Sequence, residues 1–158
     1  MSTPAPNVDK TPGGAALTEL VLLVFQLDGA LMEAAEKIAS PAGLTAARWR
    51  VLGAVLAQPR TISGIAREMG LARQSVQRLS DALVEDGLLA MIDNPGHKSA
   101  RLATPTPEGR AAIANLSGRQ SRWANAVSAS IDVRALEAQA RQLKQLIALV
   151  EEHHASIV

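Results

Sequence analysis

Between positions 73 and 81 the chain carries Arg73, Gln74, Ser75, Gln77, Arg78 and Asp81, with apolar Val76, Leu79, Leu83 and Val84 interleaved at helical spacing. The spacing predicts an amphipathic helix that buries the apolar four and presents the polar set. The chemistry of that set is hydrogen bonding in forked geometry. Arginine makes two parallel bonds to guanine, glutamine does the same to adenine, and serine meets a base or a phosphate. The preceding segment, TISGIAREMG, puts Ile62, Ile65, Ala66 and Met69 on one face, with Thr61 as N-cap and Gly70 as the left-handed residue that ends the helix. Two short helices around a glycine turn, the second closed by Gly87, read as a helix-turn-helix. A solvated helical hairpin would carry the same residues, so the flanking chain has to decide.

It favours a nucleic acid. Leu88-Leu89-Ala90-Met91-Ile92 predicts a short strand, Asp93-Asn94-Pro95-Gly96 a turn, and Ala100-Arg101-Leu102-Ala103 a second strand ended by Thr104-Pro105. A hairpin directly behind a helix-turn-helix, with His97, Lys98 and Arg101 near its tip, reads as a wing; covering the core edge is the other reading. A thin ribbon projects basic side chains past the phosphates into a minor groove while recognition happens next door. Strand alternation would put residues 97, 99 and 101 on one face and 98 and 100 on the other.

The elements that must position this unit are helical. Leu17, Leu20, Val24, Leu27, Leu31 and Ile38 mark a long first helix, widened by Val21, Leu22, Leu23 and Phe25 into more than one apolar face, which calls for a partner besides its own core. Ser40-Pro41-Ala42-Gly43 breaks it. The helix LTAARWRVLGAVLAQ follows, with Thr45 as N-cap and Leu44, Trp49, Leu52, Val55 and Leu56 facing in. Arg48 and Arg50 are expected on its surface, Arg50 being the better placed to reach a phosphate or a ligand carboxylate. Pro59-Arg60 turns into the central unit. After the hairpin, Thr106-Pro107-Glu108-Gly109 opens a helix with Ile113, Leu116, Gln120, Trp123 and Val127 near heptad spacing. Ser128 to Asp132 breaks it, and a last helix carries Leu136, Leu143, Ile147 and Val150, flanked by Leu146 and Leu149. These stripes predict packing of both terminal regions, largely with their copies in a second subunit.

Composition narrows the alternatives. The 158 residues are 47% hydrophobic, with one Phe, two Trp, no Tyr and no Cys. The absence of Cys excludes disulfides, thiol nucleophiles and Cys-ligated zinc. Net charge is only +1, yet residues 44–110 hold nine Lys/Arg against six Asp/Glu, while residues 1–43 hold two against five. No glycine-rich phosphate loop precedes a Lys and a Ser or Thr, and Glu151-Glu152-His153-His154 stands beside no other metal ligand, so neither an enzyme nor a metal or other cofactor is expected. The most apolar run, Leu20 to Leu27, is too short for a bilayer and is bracketed by Glu19 and Asp28, so no membrane association and a cytoplasmic location are expected.

With LTAARWRVLGAVL, TISGIAREMG, SVQRLSDALVEDGLL, a basic hairpin and TPEG in that order, the chain from about Leu17 onward resembles the MarR family of winged helix-turn-helix transcriptional regulators. The resemblance implies a mainly α fold with a small β-hairpin wing and a helical dimerisation region built from both termini. It further implies a homodimer on a near-palindromic double-stranded operator, acting as a repressor released by a small aromatic or phenolic effector. On this basis residues 1–14 are expected as a disordered arm, 15–43 as an N-terminal dimerisation helix, 44–105 as the DNA-binding domain and 106–158 as C-terminal dimerisation helices. The DNA-contact set is Thr61, Ser63, Arg73, Gln74, Ser75, Gln77, Arg78, His97, Lys98 and Arg101. Phe25, Met32, Trp49 and Arg50 are the effector candidates, although the first three serve equally well as core. Two departures stand out: Gly64 where the family tends to have a first-turn Glu, and His97-Lys98-Ser99 where an Asp-Arg-Arg type tip is usual. A winged helix used only for protein contacts is the competing function.

Overall fold

A computed structural model describes residues 9–97 and 99–154. Lys98 and residues 1–8 of the expected arm lie outside them. Two compact units meet at Leu116/Ser117. The first begins with helix α1 (Pro12–Ala39), a 3₁₀ turn (Ser40–Ala42) and α2 (Ala46–Ala54). Strand β1 (Arg60–Thr61), α3 (Ile62–Met69), α4 (Arg73–Glu85), β2 (Leu89–Ile92), β3 (Leu102–Pro105) and α5 (Pro107–Ser128) follow. The fold is mainly α with a small sheet, as expected.

Residues 12–14, assigned to the arm by composition, instead form the first turn of α1. Pro12 sits where a missing N–H costs nothing, and Thr11 Oγ1 accepts from the Gly14 N–H at 3.1 Å. Gly43 ends the 3₁₀ turn at φ 74°, and α2 is capped twice: by Thr45 Oγ1 on the Arg48 N–H and by Glu36 Oε2 on the Ala46 N–H at 2.7 Å. Counted along the whole helix, Pro12–Ala42 is long and apolar enough to cross a membrane, although the run Leu20–Leu27 alone is not. Its exposed apolar residues include Leu22, Leu23, Phe25 and Leu27.

The core is built from Leu44, Val51, Leu52, Val55, Ile65, Val76, Leu83, Leu89 and Leu116. Three expectations shift. Val84 is exposed, because the stripe of α4 that faces in is Val76, Ser80 and Leu83, and Val84 falls one step further round the helix. Leu79, Leu56 and Trp49 are half-buried rather than central. Ser80 takes the interior place instead, and its hydroxyl has no hydrogen-bond partner among the described residues.

The sheet is antiparallel in the order β1-β3-β2, with Arg60 opposite Ala103 and Leu89 opposite Pro105. A strand of two residues has no readable alternation, so β1 was legible only as the turn Pro59-Arg60. The second wing strand begins at Leu102, not Ala100. Asn94 Nδ2 donates to Ala100 O at 2.9 Å, the Ala100 N–H bonds His97 O, and Arg101 donates to Met91 O, which together hold residues 93–97 and 99–101 outside the strands. Strand alternation therefore does not apply to residues 97 and 99–101.

The wing is rooted at one junction. Gly87 turns the chain out of α4 at φ 71°, and the Leu88 N–H bonds Leu83 O at 2.9 Å. Thr106 then acts three ways: its N–H bonds Leu88 O, its hydroxyl donates to Gly87 O at 2.7 Å, and the same oxygen caps α5 on the Gly109 N–H at 3.0 Å. The second unit, from Ser117, continues α5 and adds α6 (Val133–His153), whose N-cap Asp132 accepts from the Arg134 N–H. It exposes Val127, Val133, Leu143, Ile147, Leu149 and Val150.

Gly109 has a steric reason to be glycine. A Cβ there would stand 2.0 Å from the Leu88 carbonyl oxygen, which is backbone and cannot swing aside. Helix propensity alone would favour alanine by about 1 kcal/mol, but the overlap outweighs it. Gly109→Ala is expected to destabilise the chain by about 3 kcal/mol, the upper end of ordinary overpacking, measured as a lowered urea midpoint. An unchanged midpoint would show that α5 can lift off the junction at no cost.

Candidate nucleic-acid interface

The two helices of the motif are set by their turn. Gly70 adopts φ 62°, its N–H reaches Arg67 O at 3.4 Å, and the Leu71 N–H bonds Ala66 O at 2.9 Å, so the last carbonyls of α3 are satisfied as α4 begins. Thr61 caps α3 by accepting from the Gly64 N–H at 3.1 Å. Gly64 replaces the expected Glu of a capping box, and a Cβ there would come within 3.2 Å of the capping oxygen. No side chain caps α4 at Ala72; the Ser75 N–H bonds Ala72 O at 3.0 Å, and the positive end of the helix dipole lies at this start.

Between α4 and the wing lies a cleft of about 360 Å³. Thr61 and Ser63 line it from the head of α3, Arg73, Gln77 and Asp81 from one stripe of α4, and Ser99 and Arg101 from the wing, with Met91 from β2. The structure thus brings five of the expected contact residues, Thr61, Ser63, Arg73, Gln77 and Arg101, to one place. Gln74, Ser75 and Arg78 are exposed on α4 and His97 on the wing loop, all outside the cleft lining. Lys98 lies outside the described residues. His97 Nδ1 is 3.1 Å from Ser99 Oγ, a contact within the loop itself. Besides lining the cleft, the Arg101 guanidinium braces the wing by donating to Met91 O. Asp81, read on the polar face of α4 but left out of the contact set, and the apolar Met91 also line the cleft; the i, i+4 relation of Asp81 to Gln77 was the available signal for the first.

The effector candidates are less gathered. Met32 and Arg50 meet: Arg50 Nη1 is 3.4 Å from Met32 Sδ and 4.0 Å from Asp28, and Nη2 donates to Met69 O at 2.7 Å. Arg50 is therefore occupied by protein partners and ties α1 to the end of α3. Trp49 is half-buried on α2, and Phe25 is 69% exposed on α1.

Residues 42–98, which span α2 through the wing loop, match the MarR family. An uncharacterised Mycobacterium tuberculosis protein, Rv2011c, is 34% identical over 131 residues, covering 83% of this chain and 92% of that protein. The chain belongs to the MarR family. As a MarR regulator it is a non-enzymatic, DNA-binding transcription protein. The transcriptional activatory protein BadR of Rhodopseudomonas palustris is 27% identical over 95 residues, 58% of this chain and 54% of BadR. CouR from Rhodococcus jostii RHA1, solved bound to p-coumaroyl-CoA, shares the fold with a TM-score of 0.72 at 23% identity, over 80% of this chain and 90% of CouR.

The brace on Met91 gives a local prediction. Arg101→Ala is expected to speed amide exchange across residues 93–101 while lowering global stability by no more than about 1.5 kcal/mol, the net worth of one hydrogen bond. Hydrogen-exchange mass spectrometry reads both. Unchanged exchange in the loop would mean the guanidinium does not hold it.

Proposed function

We propose that this MarR protein binds a near-palindromic operator as a homodimer in the cytoplasm, with α4 in the major groove and the wing along the minor groove. The carrying observation is the cleft that collects Arg73, Gln77, Arg101, Thr61 and Ser63 beside an uncapped helix start. Arg73 and Arg78 are the guanine readers in this reading, with Gln74, Ser75 and Gln77 beside them. Thr61 and Ser63 meet the backbone, and His97, Lys98 and Arg101 serve the wing contact. The protein-interaction alternative loses ground because family members bind DNA, yet it remains distinguishable by salt dependence, which phosphate neutralisation requires.

The dimer reading rests on the apolar side chains left exposed on α1 and on residues 117–154. A second copy covers such faces without invoking a membrane for α1. Residues 15–43 and 106–158 then form the dimerisation region and 44–105 the DNA-binding domain. We assign the usual action to repression released by a small aromatic or phenolic effector, with Phe25, Met32, Trp49 and Arg50 as its neighbourhood; CouR, of the same fold, binds a phenolic acyl thioester. The name of BadR supports a second reading, activation, for which the same DNA contacts serve.

Two measurements test this. Fluorescence anisotropy on duplexes selected from a random pool should show binding that falls steeply with salt, and Arg73→Ala or Arg78→Ala should each cost about 1–3 kcal/mol and relax preference at one base pair. Intact affinity and preference in both variants would mean that the reading face is misplaced. Light scattering should give twice the chain mass of 16.6 kDa, and removal of residues 133–158 should yield insoluble or DNA-inactive protein. A well-behaved monomer in either case would remove the dimer.

A further inference from the structure

Asp81 is out of character on a surface that must approach phosphates. Among the described residues lining the cleft it is the acid, opposed by Arg73 on its own helix and Arg101 on the wing. It lies one helical turn beyond Gln77, and Gln77 Nε2 donates to Asp81 Oδ1 at 2.8 Å. An ionised carboxylate only accepts hydrogen bonds, so this contact dictates which way the glutamine amide is turned. The NH₂ group faces Asp81, and Oε1 points to the other side. The reversed amide would set one acceptor oxygen against another at the same separation. In the free chain both residues are exposed and the pair contributes little. Once a duplex closes the cleft and water leaves, a bond to an ionised partner strengthens, and so does the penalty for the reversed amide.

We propose that Asp81 is a positioning residue that presents Gln77 to the groove as a hydrogen-bond acceptor. Gln77 then selects a base carrying an exocyclic amine, cytosine through N4 or adenine through N6, and disfavours guanine O6 and thymine O4, which are acceptors themselves. This rests on α4 being the DNA-reading helix. A glutamine without such a tether turns its amide to suit either kind of base edge. Arg73, one turn earlier on the same stripe, carries donors alone, so the stripe offers a donor at 73 and an acceptor at 77. The negative charge of Asp81 lowers general affinity for phosphate, and in exchange it fixes the reading polarity of its neighbour.

The test uses the full-length protein and duplexes that it selects from a random pool, read by fluorescence anisotropy. The base pair read by Gln77 is the one whose preference disappears in Gln77→Ala, and that pair is then varied through all four bases. The wild type is expected to favour the amine-bearing bases by about fivefold, the worth of one neutral hydrogen bond. Asp81→Ala is expected to shrink that preference to about twofold or less at this pair alone, with preference elsewhere intact. In the double variant Gln77→Glu with Asp81→Ala, residue 77 is an acceptor by its own chemistry, and the preference for an amine is expected to return. If Asp81→Ala instead tightens binding to all four duplexes equally and keeps the preference, Asp81 acts through charge alone and the proposal is overturned. It is overturned equally if Gln77→Ala alters no base preference. A wild-type protein that selects no sequence from the pool overturns α4 as the reading helix, and this role with it.

Discussion

The position of the wing against α4 rests on a single carbonyl. Leu88 O accepts the Thr106 N–H at 3.2 Å and stands against the bare Cα of Gly109. Because Leu88 is also hydrogen-bonded back to Leu83, the last full turn of α4, the base of the hairpin and the first turn of α5 share one fixed point. β3 lies between β1 and β2, paired with β2 along its length and with β1 at Leu102 and Ala103, away from this point. The placement of the described loop residues, 93–97 and 99–101, follows from that anchorage and from the Asn94 and Arg101 bonds. The cleft is therefore set both by this backbone junction and by side-chain bonds across the loop, one of them from Arg101, which also lines the cleft.

The arginines of the first unit divide by task. Arg48 pairs with Asp86 at 2.7 Å and joins α2 to the end of α4. Arg60 bonds Ala54 O at 2.9 Å and Glu68 at 2.9 Å, which seats β1 between α2 and α3. Arg110 reaches Leu56 O from α5. Half-exposed pairs of this kind contribute no more than about 1 kcal/mol each, so they orient elements that the apolar core already holds together. Arg73 and Arg78 show no such bond among the described residues and stand on the exposed side of α4. A net charge of +1 thus conceals two arginines on the exposed side of α4 that no ion pair among the described residues engages, although Asp81 shares the cleft with Arg73.

What the sequence made legible follows from how local each signal is. Helix caps and left-handed glycines act over three or four residues, so Thr45, Thr61, Gly70, Gly87 and Thr106 could be placed without tertiary knowledge. The α4 polar stripe was legible for the same reason, whereas the cleft that takes in Arg73 and Gln77 needed the tertiary structure. Long-range pairing was not legible. β1 exists only because β3 offers it a ladder, and β3 starts late because a side-chain bond from Asn94 and another from Arg101 compete with the strand. The bounds of the second wing strand were accordingly misread. Ser80 shows the limit of polarity as a guide: helical phase alone puts its hydroxyl inside, against the preference of its chemistry.

Besides the Glu36 cap on α2, Arg50 links α1 to the helix-turn-helix. Its guanidinium reaches α1 at Met32 and Asp28 and, through its other nitrogen, the carbonyl of Met69 at the end of α3. Met69 directly precedes the Gly70 turn that sets the angle of α4, so a displacement of α1 pulls on the turn itself. What α1 packs against then matters for DNA binding. Leu22, Leu23, Phe25 and Leu27 each keep more than half their surface exposed, and covering them is worth about 1 kcal/mol or more apiece. Four such side chains from each of two copies give about 8 kcal/mol, enough to offset the lower estimates of association cost, about 4 kcal/mol. In the proposed dimer the apolar contact that joins the copies and the polar contact that steadies the helix-turn-helix therefore sit on the same helix. In that proposed dimer a shift of α1 reaches the Gly70 turn through Arg50 as well as through the Glu36 cap on α2.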